Sequence, residues 1–474
     1  MVLWFVDVSQ HPSQQVHEPT TSTTHYPVCP VNFVEPDYHD AMTDSPAQTA
    51  RPRVVVIGGG FGGLAVVRAL RRTDVDVTLI DQHAYNQFQP LLYQVATATL
   101  NPGDITWFLR SIRSNQKNVR FHKGKVLSMN HAAKTISLDG GQQLPYDYLV
   151  IAAGVTTNYF GVTGAVEHAM PLYQRSQALE LRDAMFARLE QAAINGRNRE
   201  LRIVIVGGGA TGVETAGAFA ELRNNDMSVT YPELDPKNIH VTLVERMPSL
   251  LGPFHESLQE YARKALDKRG VDLRLNTAVR EVRADGVVIG DEEEFLPAGI
   301  VVWASGVTAH DAVKNWAVPQ GRGGRISVDD HLRVEGFKCV FAIGDAAVEE
   351  GDRALPQLAQ PALQGGKFVG KFIDAEINGT TRPAFRYRDK GSLATIGRSA
   401  AVAEVRGLPR LTGFPAWAIW VTVHIFSLLG SRNRLATMIN LGAKYLFWRH
   451  SHNAIVGETP AIIEQTRKKP DTDL

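Results

Sequence analysis

Twice in this chain a short β-branched run passes directly into a glycine-rich turn and then into a helix-like segment, and few folds accommodate that repeat. The first copy is RVVVI at Arg53–Ile57, then Gly58-Gly59-Gly60-Phe61-Gly62-Gly63, then LAVVRALRR. The second is RIVIV at Arg202–Val206, then Gly207-Gly208-Gly209-Ala210-Thr211-Gly212, then VETAGAFAELR. A β-branched run of this length reads as a buried parallel strand. GxGxxG between such a strand and a helix is the phosphate-cradling turn of a dinucleotide-binding unit. In the first copy Gly58 permits the tight turn, Gly60 lets backbone approach a pyrophosphate, and Gly63 lets the helix pack on the strand. The helix N-terminus then points its unpaired N–H groups at the anion.

In each copy a second strand ends in an acid. VDVTLI at Val75–Ile80 runs into Asp81, about twenty residues past the glycines, where a carboxylate accepts from a ribose hydroxyl. Ile239–Val244 runs into Glu245, and the surplus stretch Asn224–Asn238 is expected to be a surface insertion. A carboxylate there repels a 2′-phosphate, so the second site is expected to prefer NADH over NADPH, with Arg246 working against that preference.

Further along, Leu149–Gly154 (LVIAAG) and Val301–Gly306 (VVWASG) are apolar strands that end in small-residue turns, one after each unit. The run CVFAIGDAA from Cys339 ends a strand in Gly344-Asp345. A carboxylate at that helix start suits a ribityl hydroxyl, and the helix dipole suits a pyrophosphate.

At 474 residues, with 44% hydrophobic and 21% charged content, the chain exceeds one ordinary core and two or three domains are expected. A net charge of +1 gives no electrostatic case for nucleic acid. Cys29 and Cys339, the only cysteines, are far apart and form no CxxC pair, so a disulfide framework, a cysteine zinc site and a dithiol redox centre lack ligands. Redox chemistry must then come from a cofactor. Residues 1–50 carry neither Lys nor Arg and are rich in Pro, Ser, Thr and His, which reads as a disordered leader and as neither a secretory signal nor a transit peptide. Met42, just ahead of the first strand, is a candidate start of translation.

Taken together these features resemble the two-dinucleotide-binding flavoprotein superfamily over Arg51 to about Gly457. Within it the chain resembles the type II NADH dehydrogenases, single-subunit NADH:quinone oxidoreductases that do not pump protons. Phe88–Ala96 (FQPLLYQVA), Gly209–Glu214 (GATGVE) and Ala359–Gln364 (AQPALQ) carry that likeness. The family commonly has proline where this chain has Ala210 and an aliphatic residue where it has Pro361, a change expected to alter the helix start beside the quinone site.

The resemblance implies an α/β fold with two Rossmann-type dinucleotide-binding domains, glutathione-reductase-like, plus C-terminal amphipathic membrane-binding helices. The FAD domain would take residues 51–170 and 311–390, the NADH domain 171–310, and the anchoring region 391–474. FAD would be held by Gly58, Gly60, Phe61, Gly62, Gly63, Asp81, Gly154, Gly344, Asp345 and Ala359, with backbone of Val126 at the adenine. NADH, the exchangeable substrate, would meet Gly209, Ala210, Thr211, Gly212, Glu245 and Gly306. Glu214, which by position alone complements the helix dipole, becomes a residue near nicotinamide and flavin that binds substrates or handles protons. FQPLLYQVA reads either as a helix buried against the flavin domain or as lining for a greasy substrate, and the resemblance favours lining. Gln360 and Gln364 share a helix face as ordinary polar residues; the resemblance makes them hydrogen-bond partners of quinone carbonyls. The implied reaction moves hydride from NADH to flavin N5, then two electrons to menaquinone or ubiquinone, entering a respiratory chain without proton pumping.

Gly413–Gly430 reads GFPAWAIWVTVHIFSLLG, near the length of a membrane span but shortened by Pro415 and His424. As a helix it puts Trp417, Trp420, Val421, His424, Ile425 and Leu428 on one stripe. The following SRNRLATMINLGAKYLFWRH aligns Leu435, Met438, Ile439, Gly442, Tyr445 and Leu446, with Arg432, Arg434, Lys444 and Arg449 at the margins. Aromatic residues bordered by cations suit helices lying in a bilayer interface, so peripheral attachment to the cytoplasmic face of the cell membrane is expected, ahead of a span or a core helix pair. A homodimer is left open. No metal site is expected: His450-Ser451-His452 lacks a third ligand, and Asp291–Glu294 lacks the spacing of a calcium loop. A sulfide:quinone reductase would need redox cysteines beside the flavin. A soluble NADH oxidase or ferredoxin-type reductase leaves the C-terminal aromatic helices unexplained, and a redox-gated flavoprotein of the apoptosis-inducing type would want a basic surface.

Overall fold

The computed structural model describes residues 51–195, 200–349 and 354–446; the leader and the His450-Ser451-His452 motif lie outside them. The β-branched runs become the centres of two parallel sheets. In the first, β1 (Arg53–Ile57) pairs with β2 (Asp76–Asp81), β3 (Val119–Lys123) follows β2, and β4 (Tyr148–Ile151) lies on the other side of β1. In the second, β5 (Leu201–Val206) pairs with β6 (Ile239–Val244), β7 (Val271–Arg274) follows β6, and β8 (Ile300–Trp303) takes the place that β4 has in the first. A late strand, β9 (Val340–Ala342), returns to pair with β4 and completes five strands, so the first unit is built from two separated stretches of chain with the second unit between them. Each unit also carries a three-stranded antiparallel sheet, and Asp291 falls in the turn of the second one.

Helices fix how the units meet. In the first unit α1 (Phe61–Ala69) follows the glycine turn and crosses α5 (Ala359–Ile377) closely enough that a Cβ on Gly366 would stand 2.3 Å from the Gly62 carbonyl oxygen. In the second unit α4 (Ala210–Glu221) follows the glycine turn, and behind it α2 (Leu92–Ala96) and α3 (Arg175–Asn195) pack into the same hydrophobic core. FQPLLYQVA is thus a buried bridge, packed against the second unit as well as against Phe61 of the first. The stretch after Asn224 is likewise no mere surface insertion. Met227, Tyr231 and Leu234 enter that core, and the Tyr231 hydroxyl donates to Glu190 at 2.7 Å.

The C-terminal module begins with the antiparallel pair β10 (Gly391–Gly397) and β11 (Ala400–Val405) and ends with α6 (Gly413–Ser427) and α7 (Ser431–Leu446). It is laid directly on α4: a Cβ on Gly217 would lie 2.3 Å from the Ile396 carbonyl oxygen. Pro361 sits in the first turn of α5, where its missing N–H has no acceptor to lose, and the helix starts at Ala359 without disturbance.

Candidate functional site

In the first cradle Gly58 donates to the Ile80 carbonyl at 2.8 Å, and Asp81 accepts from Gly59 N–H and His83 N–H, each at 2.7 Å. The glycine turn and the acid at the end of β2 are therefore one hydrogen-bonded object. A Cβ on Gly63 would stand 1.9 Å from the Gly58 carbonyl oxygen, while one on Gly60 would meet nothing within 4 Å, so the N-terminus of α1 is tight behind and open in front. Asp345 follows β9 on a turn opened by Gly344 at φ +64°. The Tyr173 hydroxyl donates to it at 3.5 Å, and Arg325 donates to its backbone carbonyl at 3.0 Å. Burial pushes both the Asp81 and the Asp345 carboxyls up, and backbone N–H groups in one case and Arg325 in the other pull them back.

Half-buried acids at the C-terminal ends of parallel strands, flanking an open helix N-terminus, fit a flavin dinucleotide: pyrophosphate at Gly60–Gly63, sugar hydroxyls at Asp81 and Asp345. Gly154, at φ +67° just past β4, borders open space on the same edge. Ala359 starts α5, and Ala362 one turn on comes within 3.0 Å of where a Gly344 Cβ would be. Val126 lies two residues beyond Gly124, whose N–H bonds the Asp81 carbonyl at 3.0 Å. Tyr173 escaped the sequence reading, because nothing local in LYQRS marks it as the neighbour of an acid so far along the chain.

The second cradle repeats the first. Gly207 donates to the Val244 carbonyl at 2.9 Å, and Glu245 accepts from Gly208 N–H and, at 2.7 Å, from Met247 N–H. A Cβ on Gly212 would stand 1.8 Å from the Gly207 oxygen, while Gly209 is open. Ala210 and Thr211 form the exposed start of α4. Gly306 is covered by Phe160, whose ring stands 2.2 Å from where a Cβ would be.

Between the cradles and the C-terminal module a run of packed aromatic rings reaches Glu214. Phe61, at the start of α1, meets Phe88 edge-on at 5.7 Å, and Phe88 meets His424 edge-on at 6.1 Å. His424 stacks on Trp420 at 4.0 Å, and the Trp420 indole N–H donates to Glu214 Oε1 at 3.2 Å. Thr395 N–H donates to the same oxygen at 3.3 Å. Glu214 is 8% exposed, and burial pushes its carboxyl up to about 8 against those two donors. Glu214, which by position alone would complement the helix dipole, is therefore where the nucleotide helix, the C-terminal sheet and α6 converge.

The stripe containing Trp420, His424 and Leu428 turns inward, contrary to the expected lipid-facing role. Trp420 and Leu428 are buried, and the exposed apolar residues of α6 are Phe414 and Phe426, both 60% exposed. Helical periodicity marks a face without saying which way it points. On α7 Leu435, Met438 and Ile439 are exposed as expected, whereas Tyr445, Leu446 and Arg449 lie outside the described side chains. The two glutamines of α5 differ. Gln364 donates to the Arg388 carbonyl at 2.9 Å and accepts from Arg388 N–H at 3.0 Å, which ties the helix to the irregular segment leading into the C-terminal module. Gln360, one turn earlier on the same helix, is half-buried.

Residues 52–366 match the model of the pyridine nucleotide-disulphide oxidoreductase family, and residues 390–450 match the NDH2 C-terminal domain. The chain is 35% identical over 438 residues to the type II NADH:quinone oxidoreductase Ndh of Mycobacterium tuberculosis, covering 88% of this chain and 94% of that protein. The chain belongs to the type II NADH:quinone oxidoreductase family. A second relative, NdhA of the same organism, is 36% identical over 427 residues, covering 86% of this chain and 90% of its own length. Among solved structures, NDH2 from Plasmodium falciparum in complex with NADH superposes with a TM-score of 0.76 at 22% identity, over 84% of this chain and 99% of that one. The sulfide:quinone oxidoreductase of Aquifex aeolicus follows at 0.67 and 20%, over 83% and 95%; both speak to the fold. As a member of the type II family the chain is a flavin-dependent, NADH-using oxidoreductase.

Proposed function

We propose that this enzyme holds FAD in the first cradle, takes NADH at the second, and reduces a membrane quinone that enters among Phe88, Trp420 and His424. The observation that carries this reading is the bond from Trp420 to Glu214, which joins the nucleotide-binding helix to the C-terminal helices at one buried carboxyl. FAD, once bound, supplies the two-electron relay between nicotinamide and quinone. The chain's own residues supply position, dryness and a proton. With its carboxyl raised to about 8, Glu214 is protonated at neutral pH. Both of its N–H donors fall on Oε1, which leaves Oε2 to carry the proton that a reduced quinone oxygen needs. Gln360 supplies an amide donor for a quinone carbonyl.

The lipid surface is read from α7, which is inside out for water. Its Asn433, Thr437 and Asn440 reach inward to Thr106 and Asp104, while Leu435, Met438 and Ile439 are 52–57% exposed. A helix that hides amides and shows aliphatics belongs against acyl chains, with Arg432 and Arg434 at the headgroups. No described helix is long and apolar enough to cross a membrane. In this reading the enzyme is a peripheral protein on the cytoplasmic face, where NADH is found, and feeds a respiratory chain without pumping protons.

Anaerobic stopped-flow tests the reading. Fast flavin reduction by NADH, followed by fast reoxidation by a soluble quinone, is expected. Flavin that is reduced but reoxidised only by oxygen or by ferredoxin would replace it with an oxidase or a ferredoxin-type reductase. Removing residues from Ser431 onward should release the protein from vesicles, and undiminished co-sedimentation would move the lipid contact elsewhere.

A further inference from the structure

The run of aromatic rings contains an imidazole whose tautomer is fixed by the fold. His424 Nδ1 lies 2.7 Å from the Trp420 carbonyl oxygen, one turn back on the same helix. A carbonyl only accepts, so Nδ1 carries the hydrogen. Burial pulls His424 down to about 4, so at neutral pH the ring is uncharged and Nε2 bears a lone pair with no hydrogen. Nε2 is on the far side of the ring from the Trp420 carbonyl, while the ring is stacked on Trp420 and met edge-on by Phe88. The half-buried His424 thus carries, among these rings, a polar atom that accepts and cannot donate.

The two forms of a quinone differ in the matching property. The oxidised form has carbonyl oxygens that only accept, whereas each hydroxyl of the hydroquinone also donates. We propose that His424 Nε2 accepts a hydrogen bond from one hydroxyl of the hydroquinone, and that His424 is the residue by which this site tells reduced from oxidised quinone. Towards the oxidised headgroup the same atom sets lone pair against lone pair. The bond therefore forms only as reduction is completed, and it favours the reduced form on the enzyme. His424 takes up no proton in this step; it receives a hydrogen bond and stays neutral. An amide such as Gln360 can serve either form by presenting its N–H₂ or its oxygen, so the discrimination falls to the imidazole.

This inference rests on the proposed quinone reading, and the test separates the two. The oxidised holoenzyme is titrated anaerobically with a short-chain benzoquinone and, separately, with its hydroquinone, following protein and flavin fluorescence for binding rather than turnover. His424→Phe keeps an aromatic ring in the stack and removes the acceptor. It should weaken hydroquinone binding about tenfold and leave benzoquinone binding within about twofold. His424→Gln, with an oxygen and an N–H₂ at its tip, should restore the hydroquinone and tighten the benzoquinone. Equal weakening of both forms in His424→Phe, or no change in either, would overturn the assignment and leave His424 a packing residue. Failure of the unaltered enzyme to bind either form would instead defeat the quinone reading itself.

Discussion

The two glycine cradles are near copies in their turns and unlike in what leans on their helices. In both, the last glycine of the turn is held against the carbonyl of the first, and the acid at the end of the second strand accepts from the N–H of the residue after that first glycine, Gly59 in one cradle and Gly208 in the other. Behind the first, α1 is pressed on α5, helix against helix within one unit. Behind the second, α4 is pressed on β10, the first strand of the C-terminal module, and Glu214 is bonded to Thr395 and Trp420. On the proposed reading, the cradle for a resident cofactor is walled by its own domain, whereas the cradle for an exchanging nucleotide is backed by the module that would meet the second substrate. One turn motif would then serve retention in one place and communication in the other.

The sharpest way to break that comparison is to spoil each turn in the same manner. Gly63→Ala would force a Cβ into the Gly58 carbonyl, and the protein should be isolated nearly free of flavin, read from its absorbance. Gly212→Ala should keep its flavin yet slow flavin reduction by NADH about 100-fold or more, as an overlap costing several kcal/mol requires. Flavin loss in both variants would mean that the two cradles do not have separate tasks.

Next in size is the carboxyl that only the second helix carries. Reoxidation by quinone should fall as pH rises through about 8, where Glu214 loses its proton, and Glu214→Gln should be slower by about 10²-fold and flat with pH. The same residue sets a trend in stability. Unfolded, it ionises near 4.3, and folded near 8, so the native state holds the extra proton between those values. Stability should therefore be full below the lower value, decline through that window and level off above it, and Glu214→Gln should remove this share of the decline in a thermal melt.

Smaller effects refine the contrast. Glu245→Gln should cut the preference for NADH over NADPH about tenfold in kcat/KM, by removing the repulsion of a 2′-phosphate. Gln360→Ala should slow reoxidation by quinone a few-fold, about one hydrogen bond's worth, and leave reduction by NADH unchanged. Equal loss in both half-reactions would remove Gln360 from the quinone end.

The cradles were legible in the sequence because their requirements are local: a strand, three glycines, a helix and an acid stand in fixed order within a few turns of chain. Asp345 was legible for the same reason, as a strand ending in Gly-Asp. The partners of Glu214 were not, since Thr395 and Trp420 lie 181 and 206 residues away and nothing near Glu214 announces them. The stripe on α6 was read correctly as a stripe and wrongly as an outward one, because apolar spacing is the same for a lid and for an anchor. Gln364 looked like a ligand beside Gln360, but its amide was claimed by the backbone of Arg388.

The polar seat of α7 makes its own attachment conditional on its surroundings. In water, the bonds from Asn433, Thr437 and Asn440 to the Asp104–Thr106 segment compete with solvent for the same donors and acceptors. With the opposite face under acyl chains that competitor is thinned, and each bond strengthens as the local dielectric falls. The last described helix would then behave like an adhesive that sets on contact, gripping its own enzyme hardest where the greasy substrate is dissolved.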